Sequence, residues 1–238
     1  MPTATAKTVA QIAIETPNAA REFEKLGIDY CCGGKRSLED ACAATNVSID
    51  DVVKRLEAAS VTPANTPDFS KMSCTDLTQH IQSTHHAFVR EESPRLQQLA
   101  NKVATKHSEA HPELLQVRDI FGALADELAV HLMKEEQILF PYVRQMEEAV
   151  LEKQPVPPAM FGTVADPIRM MEHEHDGAGD ALRMLRSTTK NYALPDDACT
   201  SYQLLYQGLQ AYEADLHQHI HLENNLLHPR ALALESRR

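Results

Sequence analysis

The sequence predicts an all-α protein, a small N-terminal helical domain followed by an up-down four-helix bundle. Three observations predict it. Alternating β-branched runs are almost absent, which leaves little room for strands. Four long segments, about 74–107, 112–150, 164–190 and 197–228, carry apolar residues at helical spacing. Between them and a set of shorter pieces lies SVTPANTPDFSKMS (60–73), with two prolines, Ser, Thr and Asn and no periodicity. The expected division is therefore a domain over 1–60, a linker over 61–73 and a bundle over 74–238.

The short pieces fall at about 7–14, 17–26, 37–45 and 48–59, with Ser37 and Ser48 as N-caps and Gly27 as a C-cap. Asp29-Tyr30-Cys31-Cys32-Gly33-Gly34 joins the second to the third.

In the second long segment Val117, Phe121, Leu124, Leu128, His131, Glu135, Ile138 and Tyr142 keep a 4-3-4-3 spacing, the seam of a bundle. Leu205, Leu209, Tyr212, Leu216, His219, Glu223 and Leu226 repeat it in the fourth segment, and Ile168, Met171, His175, Ala178, Leu182 and Leu185 form the seam of the third. In each, histidine or glutamate stands where leucine is expected. The first segment offers two stripes, His86, Val89, Leu96 and Val103 against Leu77, Ile81 and Phe88; the first favours His86 and the second His85.

An internal repeat accompanies the seams. HLMKEEQILFP (131–141) and HIHLENNLLHP (219–229) share His-x3-Glu-x2-Ile/Leu-Leu-x-Pro. His86 lies 45 residues before His131 and His175 lies 44 before His219, so each half is a one-histidine helix followed by a His-x3-Glu helix. The bundle is expected to be pseudo-twofold.

A His and a Glu four apart share one helix face and can reach one metal centre. A single such pair is most often an exposed helix contact. Two pairs in an apolar seam are different, because an unpaired buried carboxylate costs several kcal/mol. Four imidazoles and two carboxylates suit iron or manganese, and inward Glu and His in a bundle can hold paired iron.

Among the 12 histidines, His80, His107, His111, His173, His221 and His228 read as surface residues or as supports behind the ligands. Glu127 and Glu174 read either as acids that orient ligands or handle protons, or as ordinary solvated glutamates. Cys31 and Cys32, being adjacent, cannot act as a chelating CxxC loop. The glycines after them permit an open turn with exposed, reactive or metal-binding thiols, and burial as packing is the equal alternative.

Composition narrows the function classes. The chain has 238 residues, 43% hydrophobic, with a net charge of −11 and no Lys/Arg stripe, which speaks against nucleic acid. Mean hydropathy is −0.37 and no apolar run approaches the roughly 20 residues of a membrane span. MPTATAKTVAQIAIETP lacks the apolar core of a secretory signal, and five cysteines without framework spacing fit reduced thiols; both lead to a cytoplasmic expectation.

DYCCGGKRSLEDAC (29–42) resembles the N-terminal domain of the iron–sulfur cluster repair di-iron proteins, the "repair of iron centres" family. HLMKEEQILFP, EHDGAG (174–179) and HIHLENNLLHPRAL resemble their hemerythrin-like domain. The resemblance spans nearly the whole chain and implies ligands at His86, His131, Glu135, His175, His219 and Glu223, which favours His86 over His85. It implies two non-haem iron ions, bridged by oxo or hydroxo and by the two glutamates. It further implies repair of clusters in iron–sulfur proteins damaged by nitrosative or oxidative stress, by iron donation, with Cys31 and Cys32 assisting transfer or docking. Reversible O2 or NO binding and NO reduction to N2O use the same ligands and stay open, as does activity as an enzyme. A homodimer through the N-terminal domain is a further expectation. The Pro-rich loop 151–163 is longer than the family's minimum, which leaves the connection from the second to the third bundle helix unspecified.

Overall fold

The computed structural model describes residues 7–16, 18–61 and 67–236. Residues 62–66 of the expected linker lie outside the described residues, and Phe69–Lys71 within it forms a single 3-10 turn. Among the described residues every regular element is helical, with two isolated β-bridges besides.

Four short helices make the N-terminal part: α1 (Val9–Glu15), α2 (Ala19–Leu26), α3 (Leu38–Thr45) and α4 (Ile49–Val61). Local chemistry sets their ends. Thr8 and Gln11 form a reciprocal capping box at the start of α1. Gly27 ends α2 in the left-handed region at φ +68°, and the Ser37 hydroxyl accepts from the backbone N–H of Asp40 to start α3. These helices close over a core of Val9, Phe23, Ile28, Tyr30, Leu38 and Val52.

The bundle follows. Its first helix is α5 (Cys74–Ile81), a π-turn (Gln82–His86) and α6 (Ala87–His107). Its second is α7 (Glu113–Lys134), a π-turn (Glu135–Leu139) and α8 (Phe140–Leu151). The third is α9 (Ala165–Thr188), and the fourth is α10 (Thr200–Leu222), a π-turn (Glu223–Leu227) and α11 (His228–Glu235). Helix α6 packs on α7 and α10, and α7 on α9. The 151–163 connection folds back on α8, where Tyr142 donates to the Pro157 carbonyl at 3.0 Å and meets Phe161 edge-on.

The π-turns correct one seam position. Ile138 is 49% exposed, whereas Leu139 is buried. One extra residue in the Glu135–Leu139 turn rotates everything after it, so Leu139 takes the core position that regular spacing assigns to Ile138. Pro141 and Pro229 supply a local cause for two of these turns. A proline within a continuous helix lacks the N–H for the preceding turn and clashes with its carbonyl, and opening that turn relieves both. The Gln82–His86 turn likewise reconciles the two stripes of the first helix: Leu77 and Ile81 before it, His86 at its end, and Val89 and Leu96 after it are all buried.

Two apolar clusters fill the bundle. One holds Leu77, Ile81, Phe140, Ile168 and Leu226, and the other holds Val89, Leu128, Leu132, Ala178 and Leu216. Along every helix the polar seam residues fall between them. A polar layer at His86, Glu135, His175 and Glu223 is therefore closed off above and below by packed side chains.

Candidate metal centre

The layer divides into two clusters, His86 with His219 and His131 with His175, and Glu135 and Glu223 belong to both. All six side chains are buried. His86 Nε2 lies 3.2 Å from His219 Nε2, and His131 Nε2 lies 3.1 Å from His175 Nε2. Glu135 Oε2 is 3.4 Å from both His86 Nε2 and His131 Nε2. Glu223 divides its oxygens, Oε1 at 3.1 Å from His219 Nε2 and Oε2 at 3.0 Å from His175 Nε2.

The groups behind the rings say which nitrogen carries the proton. His131 Nδ1 faces the Glu174 carboxylate at 2.8 Å, whose other oxygen accepts from Lys134. His175 Nδ1 faces Asn224 Oδ1 at 2.8 Å, and His86 Nδ1 faces Glu136 at 2.7 Å, with Arg90 beyond. Each acceptor fixes the N–H on Nδ1 of the neutral ring and leaves a lone pair on Nε2. Burial pushes both His86 and His131 down to about 4, so both are neutral at neutral pH. With the Nδ1–H of His175 given to Asn224 and that of His131 to Glu174, two lone pairs face each other at 3.1 Å between the two Nε2 atoms.

Two acceptors at that distance repel unless a cation lies between them. With metal–nitrogen bonds of about 2.1 Å, adjacent nitrogens on one ion stand about 3.0 Å apart in an octahedron and about 3.4 Å in a tetrahedron, which brackets both pairs. The carboxylates point the same way. Neither oxygen of Glu135 accepts a hydrogen bond. Burial, and then the neighbouring Glu223 charge, pushes the Glu135 carboxyl well above the usual range, the condition that a bound cation removes. The donor set fits two oxygen- and nitrogen-loving divalent ions, and iron is among them.

Of the residues singled out in the sequence, the structure brings together His86, His131, Glu135, His175, His219 and Glu223. His85 stands apart from both clusters: its ring stacks on His219 at 5.7 Å and its Nδ1 reaches Asp215 at 2.9 Å. Glu174 touches a cluster histidine, while Glu127 is exposed and lines a cavity of about 570 Å³ that reaches His131 and His175 between α7 and α9. His228 is buried and stacks on His175 at 6.0 Å, and His221 is buried against Tyr30 at 5.2 Å. His80, His107 and His111 are half-buried and His173 is exposed. Glu136 and Asn224 escaped the sequence reading, although each directly follows a cluster glutamate in the two repeat copies.

Exposed thiols and buried packing are equal readings of the Cys31-Cys32 turn from sequence, and the two residues divide between them. Cys31 is buried and Cys32 half-buried, because the turn lies against the bundle. The Asn225 amide donates to the carbonyls of Tyr30 at 3.2 Å and Cys31 at 3.3 Å, and Cys32 Sγ lies 3.5 Å from the His175 carbonyl. All five cysteines are free thiols.

Fold and centre together define a cation-binding helical bundle of the hemerythrin type. Residues 77–231 match the family profile described as the hemerythrin HHE cation binding domain, and residues 5–60 match ScdA_N, described as a domain of unknown function. The chain is similar to the iron–sulfur cluster repair protein YtfE of Pectobacterium atrosepticum, 34% identical over 226 residues, 95% of this chain and 96% of that protein. The proteins of the same name from Dickeya chrysanthemi and Yersinia pseudotuberculosis are each 35% identical over the same shares. This chain belongs to that YtfE family of iron–sulfur cluster repair proteins.

Proposed function

We propose that the bundle holds two irons bridged by Glu135 and Glu223, and that this member of a cluster-repair family acts by giving iron to damaged iron–sulfur proteins. Bound iron supplies paired ferrous or ferric ions as cargo; the chain supplies the grip and the exit. His86 and His219 would grip one ion, and His131 and His175 the other. Glu136, Glu174 and Asn224 hold three of these rings with Nε2 inward.

One observation carries the donor reading. His131 and His175 line the open cavity between α7 and α9, and His86 and His219 do not. An ion gripped by His131 and His175 would thus have a way out through that wall. Glu174, tied to Lys134 at that wall, would keep the Nδ1–H of His131 and steady the ring as an imidazolium when its freed Nε2 takes a proton from water.

The test is reactivation of an iron–sulfur enzyme inactivated by nitric oxide. The iron-loaded protein should restore activity faster than an equal amount of free ferrous iron, and should lose iron from one position as it does so. Restoration no better than free iron would refute donation. The same cavity can admit a diatomic ligand, which supports a second reading as an O2- or NO-binding protein; a stable adduct with both irons retained favours that one.

A further inference from the structure

A second group of metal-binding side chains lies outside the bundle layer. Asp29, Cys31 and Cys32 place a carboxylate oxygen and two sulfurs within 4.8 Å of one another. The two cysteines line, with Lys35, Glu172, Asp176, Asn224 and Asn225, a polar crevice of about 90 Å³ where the N-terminal turn meets the bundle, and the Asn224 in its wall is the one that holds His175.

The spacings are those of a coordination shell. Cys31 Sγ and Cys32 Sγ are 3.8 Å apart, and Cys31 Sγ is 3.4 Å from Asp29 Oδ1. A tetrahedral ion with bonds of about 2.3 Å to sulfur and about 2.0 Å to oxygen separates two sulfurs by about 3.8 Å and a sulfur from an oxygen by about 3.5 Å. The turn builds this without a CxxC loop. Asp29 Oδ1 accepts the backbone N–H groups of Cys31 at 3.1 Å and Cys32 at 3.0 Å, which curls both thiols toward the carboxylate. The Arg183 guanidinium, 3.8 Å from Asp29 Oδ2, offsets the negative charge that a divalent ion leaves over on two thiolates and a carboxylate.

We propose that Asp29, Cys31 and Cys32 form a separate site for one thiophilic divalent cation, with its fourth position left for water or a ligand of the acceptor. On binding, the two thiols give their protons to water and no electron moves. Its role as a stopping place for iron leaving the bundle rests on the donor reading; the binding of a cation there does not.

Cobalt(II) is the probe, added to the full chain already loaded with iron. One equivalent should bind with near-ultraviolet thiolate-to-cobalt absorption while the bundle keeps its iron. Cys31→Ser and Cys32→Ser should each remove that absorption. Asp29→Asn, which keeps an oxygen for the two backbone N–H groups, should weaken binding about tenfold or more. Iron content and circular dichroism of each variant report whether the fold is intact. The site is overturned if wild-type protein shows no such absorption, if any of the three folded variants binds as tightly as wild type, or if cobalt enters only by displacing bundle iron. Cluster reactivation is measured separately, so a cation site in a protein that does not donate iron would refute the donor reading alone.

Discussion

Glu135 is fully buried and neither of its oxygens accepts a hydrogen bond, an arrangement that metal-free protein tolerates only at a cost. Replacing buried charged groups with apolar ones of similar volume is often neutral or stabilising, by about 1–4 kcal/mol. Glu135→Leu is therefore expected to lose paired metal while the chelated, metal-free protein becomes no less stable than wild type, as read by urea unfolding. A large loss of stability in the metal-free state would mean that Glu135 serves the fold. Supporting residues should behave differently. Asn224→Ala leaves all six cluster side chains in place and frees the His175 ring, so metal affinity in a chelator competition should fall about 10- to 100-fold. Five cluster residues were legible because they replace leucine in an apolar seam, whereas spacing left His86 and His85 open and the family resemblance favoured His86. Glu136 and Asn224 were not legible, since they flank the seam, where periodicity alone cannot separate a residue facing the next helix from one facing water.

At the scale of elements, spacing gave helix positions within a few residues for three bundle helices, whereas the fourth runs on through α11 to Glu235. What it could not give was register after a π-turn, because a strict 3.6-residue repeat has no place for the extra residue. Ile138 is the casualty. The start of α5 shows a cap drawn from another helix and so equally hidden: Glu147 of α8 accepts the N–H groups of Cys74 at 2.7 Å and Thr75 at 2.8 Å. Partial burial alone would raise its pKa, but the hydrogen bonds from Thr75 and Cys74 win and hold the carboxyl below the usual glutamate range. The native state then binds fewer protons than the unfolded one. The stabilisation is complete above the ordinary value of about 4.5 and is lost as pH falls through the lower native value. Glu147→Ala should cost about 1 kcal/mol at neutral pH, and the gap from wild type in urea midpoint should narrow below pH 4.5. A gap independent of pH would place the effect in lost packing instead.

Across the whole molecule the two halves share a plan but not their details. Phe140 stacks on His86 where His228 stacks on His175, and Glu136 backs His86 where Asn224 backs His175. The half that ends in His228 is also the one the N-terminal domain covers, through Tyr30 on His221 and Asn225 on the 30–31 carbonyls. No pattern in the sequence announces that docking, since it is made by one ring, one amide and a bare backbone turn. Gly34 is the hinge of the contact. A Cβ there would stand 2.6 Å from the Tyr30 carbonyl oxygen, 2.9 Å from Ala10 Cβ and 3.2 Å from Asn225 Oδ1, so all three must give way at once. Overpacking of this kind costs about 1–3 kcal/mol, and each 1.4 kcal/mol corresponds to about a tenfold change in population. Gly34→Ala should therefore expose the buried Cys31 thiol, raising its alkylation rate by roughly tenfold or more, while the bundle retains its full complement of metal. Unchanged labelling of Cys31 would show that the turn keeps its place without this contact. Loss of bundle metal in the same variant would show that the N-terminal domain holds the centre together as well as covering it.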